Sequence, residues 1–541
     1  MKKILSWFGE EVIIVLLTLI VVAGSYGPLL YQYLTPPPGK VFLGSFGFPE
    51  DFWANVHVFT EGRLGDWVSQ VRFSYLLPVS STFFVKPADI IVGQIARLVP
   101  IEGVMFFHVA RLIMTVICLV LIYKIIFRVF EKKWGRVTAF LLICLATAWP
   151  GGEKLMENWT PISLFQRWAY YPHYLLSFVF LLLAIYQLTD GLGKNRWQKV
   201  VAAGIFGALS ALAHPPGIIS LYMVLPIYFI LFWLISGKFK RDKNECLKEL
   251  GLVAIFGVLS FWPIYFLAQV GETYPWYLIA KIDQIYDLSN RINLKELLLG
   301  LGPMAVLAIY GAVVAVRKGG RWNAMIAPWA VIYLIGFYLV KKIMPYSGLR
   351  LIQTPFIAFL GILAAMAIEN ISTYLEKRIG VRKGLIMAVI ILAVLLPSYG
   401  NYRLALNINV NNFRFNYEHL LFATREKKEA IDFLMKNTSQ KDYVIADPVN
   451  ATLITALSGN ETFVTIYAKN LPDDYNRLED QVVKFFSEIW SEKERVEFLK
   501  QNRVRLVFWG AEEKRWGGKM DLPILEKVFE NEEVTIFAVK D

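Results

Sequence analysis

Eleven apolar stretches punctuate the first 400 residues, at about 11–33, 103–129, 135–150, 172–190, 197–214, 216–236, 249–270, 296–316, 322–341, 351–371 and 384–399. A helix needs about 20 apolar residues to cross the hydrocarbon of a bilayer. The third and the last stretch are the shortest. The pattern predicts a polytopic α-helical membrane protein of about 11 spans. The residues between the stretches give an orientation. With Lys2 and Lys3 inside, the even-numbered spans end at Glu131–Arg136, Lys194–Lys199, Lys238–Lys243, Arg317–Arg321 and Lys377–Lys383. Every one of these loops is basic, as cytoplasmic loops are. An odd number of spans then puts the C-terminus outside. The two lysines and the run behind them imitate a signal peptide, but the further spans make it an uncleaved first helix.

The outer loops differ in kind. The first, about 34–102, opens with Phe46-Gly-Phe-Pro49-Glu50-Asp51-Phe-Trp-Ala-Asn55-Val-His57. A proline ahead of two acids and a periodic segment predicts a helix start, with the acids where the helix dipole favours them. At 3.6 residues per turn Asp51 and Asn55 share one face, Trp53, His57 and Glu61 a second, and Phe52, Val56 and Phe59 an apolar third. Such a helix suits a membrane surface, its polar edge turned toward a cavity. A second surface helix is expected at Pro87–Arg97. The second loop, about 151–171, carries Glu153, Glu157, Trp159, Arg167, Trp168, Tyr170 and Tyr171, with His173 just beyond. His214-Pro215-Pro216 forms the third. The fifth, Lys341-Lys342-Ile-Met-Pro-Tyr346-Ser-Gly-Leu-Arg350, is strongly basic where basic residues are disfavoured.

Beyond Pro397 the chain becomes charged and periodic. Residues 1–400 therefore read as a membrane domain and 401–541 as an extracytoplasmic α/β domain. Within the latter, helices are expected over Glu418–Lys436, near 475–487, 491–501 and 523–529, with a turn and helix start at Asp447. Strands are expected at Tyr443–Ala446, Thr462–Ile466, Val504–Trp509 and Val534–Val539.

Composition agrees with this division. The 541 residues are 56% hydrophobic and 18% charged, with a mean hydropathy of +0.46; soluble domains carry about a quarter charged residues. The net charge of +12 is accounted for by the inner loops, so no nucleic-acid partner is expected. Cys118, Cys144 and Cys246 are isolated, which excludes a disulfide framework or zinc spacing. There is no GxGxxG and no P-loop.

The acidic pair Glu50-Asp51 soon after span one, the helices of that loop, the many spans, the late basic loop with Tyr346, and the C-terminal domain together resemble the GT-C superfamily of membrane glycosyltransferases. That superfamily includes protein O-mannosyltransferases and the aminoarabinose transferases of lipid A. Within it the chain looks closest to prokaryotic relatives with a small α/β tail. The resemblance implies a polyprenyl-phosphate-linked sugar as donor, and a glycan, lipid or protein as acceptor, at the outer face of a cell membrane. It implies Asp51 as catalytic base, with Glu50 the alternate.

Elementary chemistry points the same way. Inverting sugar transfer needs a carboxylate to take the acceptor hydroxyl's proton as the anomeric bond breaks. A lipid-phosphate leaving group needs cations to hold it rather than an acid to protonate it. Arg350, Lys341, Lys342 and Tyr346 are the candidates for that task. The plain alternatives are a helix cap for the acids and snorkelling to headgroups for the lysines. Asn55, His57, Arg111, Glu157, Arg167, His173 and His214 are candidate cavity-lining residues. His173 and His214 could also help hold a divalent metal with Asp51, but hydrogen bonding to a helix end is preferred for both. For Arg111, buried in span two, an ion pair is preferred over a functional role. Trp159, Trp168, Tyr170 and Tyr171 read as an interface belt. No cofactor is indicated with certainty, and no metal has diagnostic spacing. The other readings are a non-catalytic relative that binds a lipid-linked glycan, and a transporter or flippase, though neither broken paired helices nor inverted repeats are evident.

Overall fold

The computed structural model describes residues 9–68, 73–77, 86–149, 167, 171–194, 196–235, 242–285, 292–343, 348–352, 355–407, 410–411 and 416–540. They divide into two compact units. The first comprises Met1–Pro28, Arg111–Gln269 and Asp283–Ile408; the second comprises Leu29–Ala110, Val270–Ile282 and Asn409–Asp541. The sequence divides by hydropathy at about residue 400. Contacts instead gather residues 29–110 and 270–282 with the C-terminal residues.

The first unit is helical. Among the described residues of the chain, eight helices are long and apolar enough to cross a membrane: Glu10–Leu34, Gly103–Val129, Pro172–Lys194, Pro216–Ile235, Lys243–Gly271, Arg321–Leu339, Phe356–Ile379 and Lys383–Leu404. A ninth, Leu294–Leu301 with Pro303–Lys318, is bent by 91°. The expected count of eleven is thus not what length supports. The helix Lys133–Leu145 has 13 residues, about 20 Å of rise against a core of about 30 Å. Trp197–Ala213 has 17. The bend falls at Gly302, whose φ of 72° suits glycine and where a Cβ would lie 2.1 Å from the Thr147 carbonyl oxygen.

The helix ends expected inside are tied by buried carboxylates. Glu10 pairs with Arg136 at 2.6 Å, and Asp190 with Arg128 and Lys199 at 2.9 Å each. Glu249, 2% exposed, takes Arg321 at 2.8 Å together with Tyr228 and Trp233. Charges this far from water are retained only with such partners.

In the second unit, β1 (Lys40–Phe42) pairs antiparallel with β2 (Phe422–Thr424), and Lys40 reaches Glu418 at 2.8 Å. A four-stranded sheet has the order β3 (Val444–Ile445), β4 (Leu506–Trp509), β6 (Thr535–Val539), β5 (Leu525–Glu530). The first pair is parallel and the others antiparallel. Helices Arg425–Asn437, Pro448–Ser458, Pro472–Phe486 and Glu492–Gln501 accompany it. Their core includes Ile445, Val507, Phe463, Phe485 and Leu499, joined by Val58, Phe73 and Ile90 of the first loop, with Tyr274 and Trp276 packed against it.

Three expectations are corrected here. Residues 525–530 are strand rather than helix, because β6 pairs with them on either side of a bulge at Val528. Glu418–Lys436 is broken into Glu418–Leu421, β2 and Arg425–Asn437, since β1 recruits its middle. Thr462 makes a single bridge to Val444 and no extended strand follows.

The helix Pro49–Leu64 also differs from expectation. It does not present one free face: Phe52 through Gly62 are all buried. Its neighbour Pro87–Ala96 crosses it at two glycines, where a Cβ on Gly93 would lie 2.1 Å from the Phe59 carbonyl oxygen and one on Gly62 2.4 Å from that of Ile90. Both helices must spread to admit any side chain there. Gly93→Ala is expected to destabilise the second unit by about 1–3 kcal/mol, the usual scale of overpacking, read as a lower thermal unfolding midpoint in detergent. An unchanged midpoint would mean that the crossing is not close-packed.

Candidate active site

The acidic pair sits in the first turn of its helix. Phe48 is the N-cap, extended and without a side-chain cap bond, and Pro49 takes the first helical position, where its missing N–H costs nothing. Glu50 and Asp51 follow in the first turn, each half-buried. Neither acid is therefore the cap residue. One turn on, Asn55 Nδ2 donates to the Asp51 carbonyl oxygen at 2.7 Å, and Lys86 Nζ donates to Asn55 Oδ1 at 2.7 Å. Lys86 adopts φ 57°, a left-handed conformation uncommon outside glycine. A residue held there marks a site worth testing.

Further along, His57 is buried against the Thr455 carbonyl oxygen (3.4 Å) and Glu61 (3.5 Å). It lines a small cleft with Trp53, Ala54, Thr452, Thr455, Thr465 and Tyr467. Trp53 Nε1 donates to the Leu420 carbonyl oxygen at 2.8 Å, and Thr60 Oγ1 to that of Ala456 at 2.6 Å.

Residues from the C-terminal part of the unit surround the acids. Burial raises the Tyr417 phenol's pKa, helped by the charges of Glu50 and Asp51. Burial and then Lys469 lower that of His419, against the pull of Glu50 and Glu512. Burial of Glu512 opposes its charged form, but Lys427 at 2.6 Å outweighs this and holds its carboxyl below the ordinary value. Burial raises Asp447, the N-cap of Pro448–Ser458. Glu513, fully buried, is pushed up to about 7 by burial. It accepts the Asp447 N–H at 2.7 Å, the Gly510 N–H at 2.9 Å and Asn450 Nδ2.

The first unit gathers a different set. Arg350, on the short helix Leu349–Ile352, donates from Nη1 to the Tyr174 hydroxyl at 3.3 Å. The Tyr174 ring lies 4.3 Å from each of His173 and His214. Arg167 lies elsewhere, donating to the carbonyl oxygens of Ile143 (2.7 Å) and Ala146 (3.1 Å), where it satisfies the end of Lys133–Leu145. Arg111, 1% exposed, faces the Tyr26 ring at 5.6 Å. Lys341 and Lys342 close the helix Trp329–Ile343. Tyr346, Glu153 and Glu157 lie outside the described residues. Among the described residues no group of three or more His, Cys, Asp or Glu side chains could hold a metal.

Sequence reasoning passed over Lys86, Tyr174, Tyr417, His419, Glu512 and Glu513. For Lys86 and Tyr174 a signal existed, since Lys86 precedes a proline and Tyr174 stands two residues after one, each at a predicted helix start. The other four are assembled by pairing across the chain.

The fold is of the GT-C type, the fold of the solved membrane glycosyltransferases that it resembles. The chain is similar to the Archaeoglobus fulgidus oligosaccharyltransferase tethered with an acceptor peptide (TM-score 0.53, 15% identity, 94% of this chain and 70% of that one). It is similar also to AglB of that organism in complex with an inhibitory peptide and a dolichol-phosphate (TM-score 0.51, 14% identity, 93% and 70%). ArnT from Cupriavidus metallidurans, bound to undecaprenyl phosphate, is a third (TM-score 0.53, 10% identity, 97% of each chain). At these identities the likeness is one of fold. No curated protein matches the chain. The chain belongs to the Family of unknown function (DUF6541), which matches residues 102–522.

Glu513 generates a pH prediction. Its folded value, about 7, lies above the ordinary 4.5, so the folded state holds its proton more tightly than the unfolded state does. That stability is full at pH 4.5 and below and is lost as pH rises through 7. The loss is on the order of 3 kcal/mol. Glu513→Gln, which cannot ionise, is expected to gain stability relative to wild type between pH 5 and 8 in detergent melts. Parallel pH curves would show that the buried carboxyl does not titrate in this window.

Proposed function

We propose that this protein transfers a sugar from a polyprenyl-phosphate carrier to an acceptor at the outer face of the membrane, with inversion. Asp51 takes the acceptor hydroxyl's proton as the new bond forms between acceptor oxygen and anomeric carbon. The bond from that carbon to the phosphate oxygen breaks, and polyprenyl phosphate leaves with the electron pair. Glu50 is the alternate base. Arg350 holds the phosphate, with Lys341 and Lys342 adding charge. The observation that carries this reading is the half-buried Glu50-Asp51 pair in the first turn of a helix whose middle, Phe52–Gly62, is buried. Support comes from the fold, shared with structures that hold dolichol-phosphate and undecaprenyl phosphate.

The proposed orientation is N-terminus cytoplasmic and C-terminal residues outside. Residues 29–110, 270–282 and 409–541 pack as one unit, so all three belong on one side of the membrane. Nine or eleven crossings satisfy that requirement and eight do not. The proposal therefore counts the bent pair as a span, and takes Lys133–Leu145 and Trp197–Ala213 to cross as well, which brings the number to eleven.

Two expected outcomes test these readings. Asp51→Asn is expected to lower transfer from a polyprenyl-phosphate sugar by about 10²–10⁴-fold, the range for a general base, while carrier binding persists. Unchanged turnover in a monodisperse Asp51→Asn protein would exclude Asp51 as base. A reporter placed after Asp541 is expected to be accessible from outside intact cells, and labelling only after lysis would reverse the orientation.

A further inference from the structure

Four helices have ends near Tyr174 in the first unit. The helix Pro172–Lys194 begins two residues before it. Trp197–Ala213 ends at His214, its C-cap, and Pro216–Phe229 starts two residues later. The helix Leu349–Ile352 brings Arg350.

The backbone of His214 is fixed at this junction. Its N–H donates to the Ser210 carbonyl oxygen at 2.8 Å, and the Ser177 hydroxyl lies 3.1 Å from its own carbonyl oxygen. Ser177 and Ser210, both buried, sit 3.0 Å apart, with Ser210 Oγ donating back to the Ser177 carbonyl oxygen at 3.1 Å. The two serines thereby lock the junction onto the helix that carries Tyr174, three residues away.

The ring of His214 lies on Tyr174 at 4.3 Å and 56°. Only 8% of the residue is exposed, and Nε2 is buried without a hydrogen-bond partner. A buried polar atom left unmade costs stability. Phenylalanine would fill the same place without that cost, so packing alone does not account for a histidine. Arg350 reaches the same tyrosine through its hydroxyl. A guanidinium fork recognises phosphate best when its orientation is set before the ligand arrives, because less freedom is then lost on binding.

We propose that His214 is a positioning residue which, through Tyr174, presets the Arg350 guanidinium for the phosphate of the carrier; this rests on the reading that Arg350 holds that phosphate.

The test is binding of a short-chain polyprenyl phosphate to the full chain in detergent. Variants are His214→Ala, His214→Phe, His214→Gln, Tyr174→Phe, Arg350→Ala and the double variant His214→Ala/Arg350→Ala. Arg350→Ala is expected to weaken binding at least tenfold. His214→Ala, His214→Phe and Tyr174→Phe are each expected to weaken it about tenfold, and His214→Gln, which restores a neutral polar group, to stay near wild type. The double variant is expected to bind no more weakly than Arg350→Ala alone, since a residue acting through Arg350 has nothing left to position. Additive losses, or wild-type binding by His214→Phe, would overturn the positioning role while leaving the carrier reading intact. Loss of His214 function with no effect of Arg350→Ala would overturn both. A wild type that binds no polyprenyl phosphate would do the same. Parallel titrations with phosphatidylglycerol and with inorganic phosphate separate the sources, and equal affinity for either would mean a general anion site rather than a carrier site.

Discussion

A polar helix buried on every side is the constraint on which the second unit depends. Pro49–Leu64 takes Asn55, His57, Thr60 and Glu61 out of water together with Phe52, Trp53 and Phe59. Each buried polar group must then find a partner. The partners come from far along the chain: the carbonyl oxygens of Leu420, Thr455 and Ala456 receive or face Trp53, His57 and Thr60. The C-terminal residues are thus part of the environment that lets the acidic helix exist. Glu50 and Asp51 in its first turn, and Arg63 and Leu64 at its far end, escape full burial.

The two units carry opposite chemistry. In the second unit Tyr417, His419 and Tyr475 feel the charge of Glu50, while Lys427 is committed to Glu512. Burial moves all three from their ordinary protonation ranges. The first unit sets a guanidinium, a phenol and two imidazoles side by side, a set suited to an anion.

Much of this was legible in the sequence where the determinants are local. Apolar runs marked the helices of the first unit, and Pro49 with its two acids marked the start of the central helix. The basic loops map onto helix ends pinned by Glu10, Asp190 and Glu249. Legibility failed where distant segments decide. Ile524, Leu525, Val528 and Phe529 have helical spacing, yet a strand forms because β6 lies alongside. The break in Glu418–Lys436 follows from β1, nearly four hundred residues earlier. The amphipathic pattern of Pro49–Leu64 suggested a membrane surface because nothing local reveals that the C-terminal residues cover its polar side. Arg167 read as a cavity residue, but its guanidinium is taken up by two carbonyl oxygens.

The pairing of Lys40 with Thr424 has a consequence for biogenesis. The strand that contains Lys40 leaves the ribosome long before its partner is made, and the intervening spans must be inserted first. Until then the acidic helix lacks the carbonyl groups that receive its side chains. The second unit is therefore an assembly of late-arriving pieces rather than an autonomous domain. Its folding waits on the end of translation, and its contacts span most of the chain's length, the arrangement that makes folding slow. A chain stopped short of residue 420 would carry every transmembrane segment and both carboxylates, and still lack the carbonyl groups of Leu420, Thr455 and Ala456 that meet the side chains of their helix.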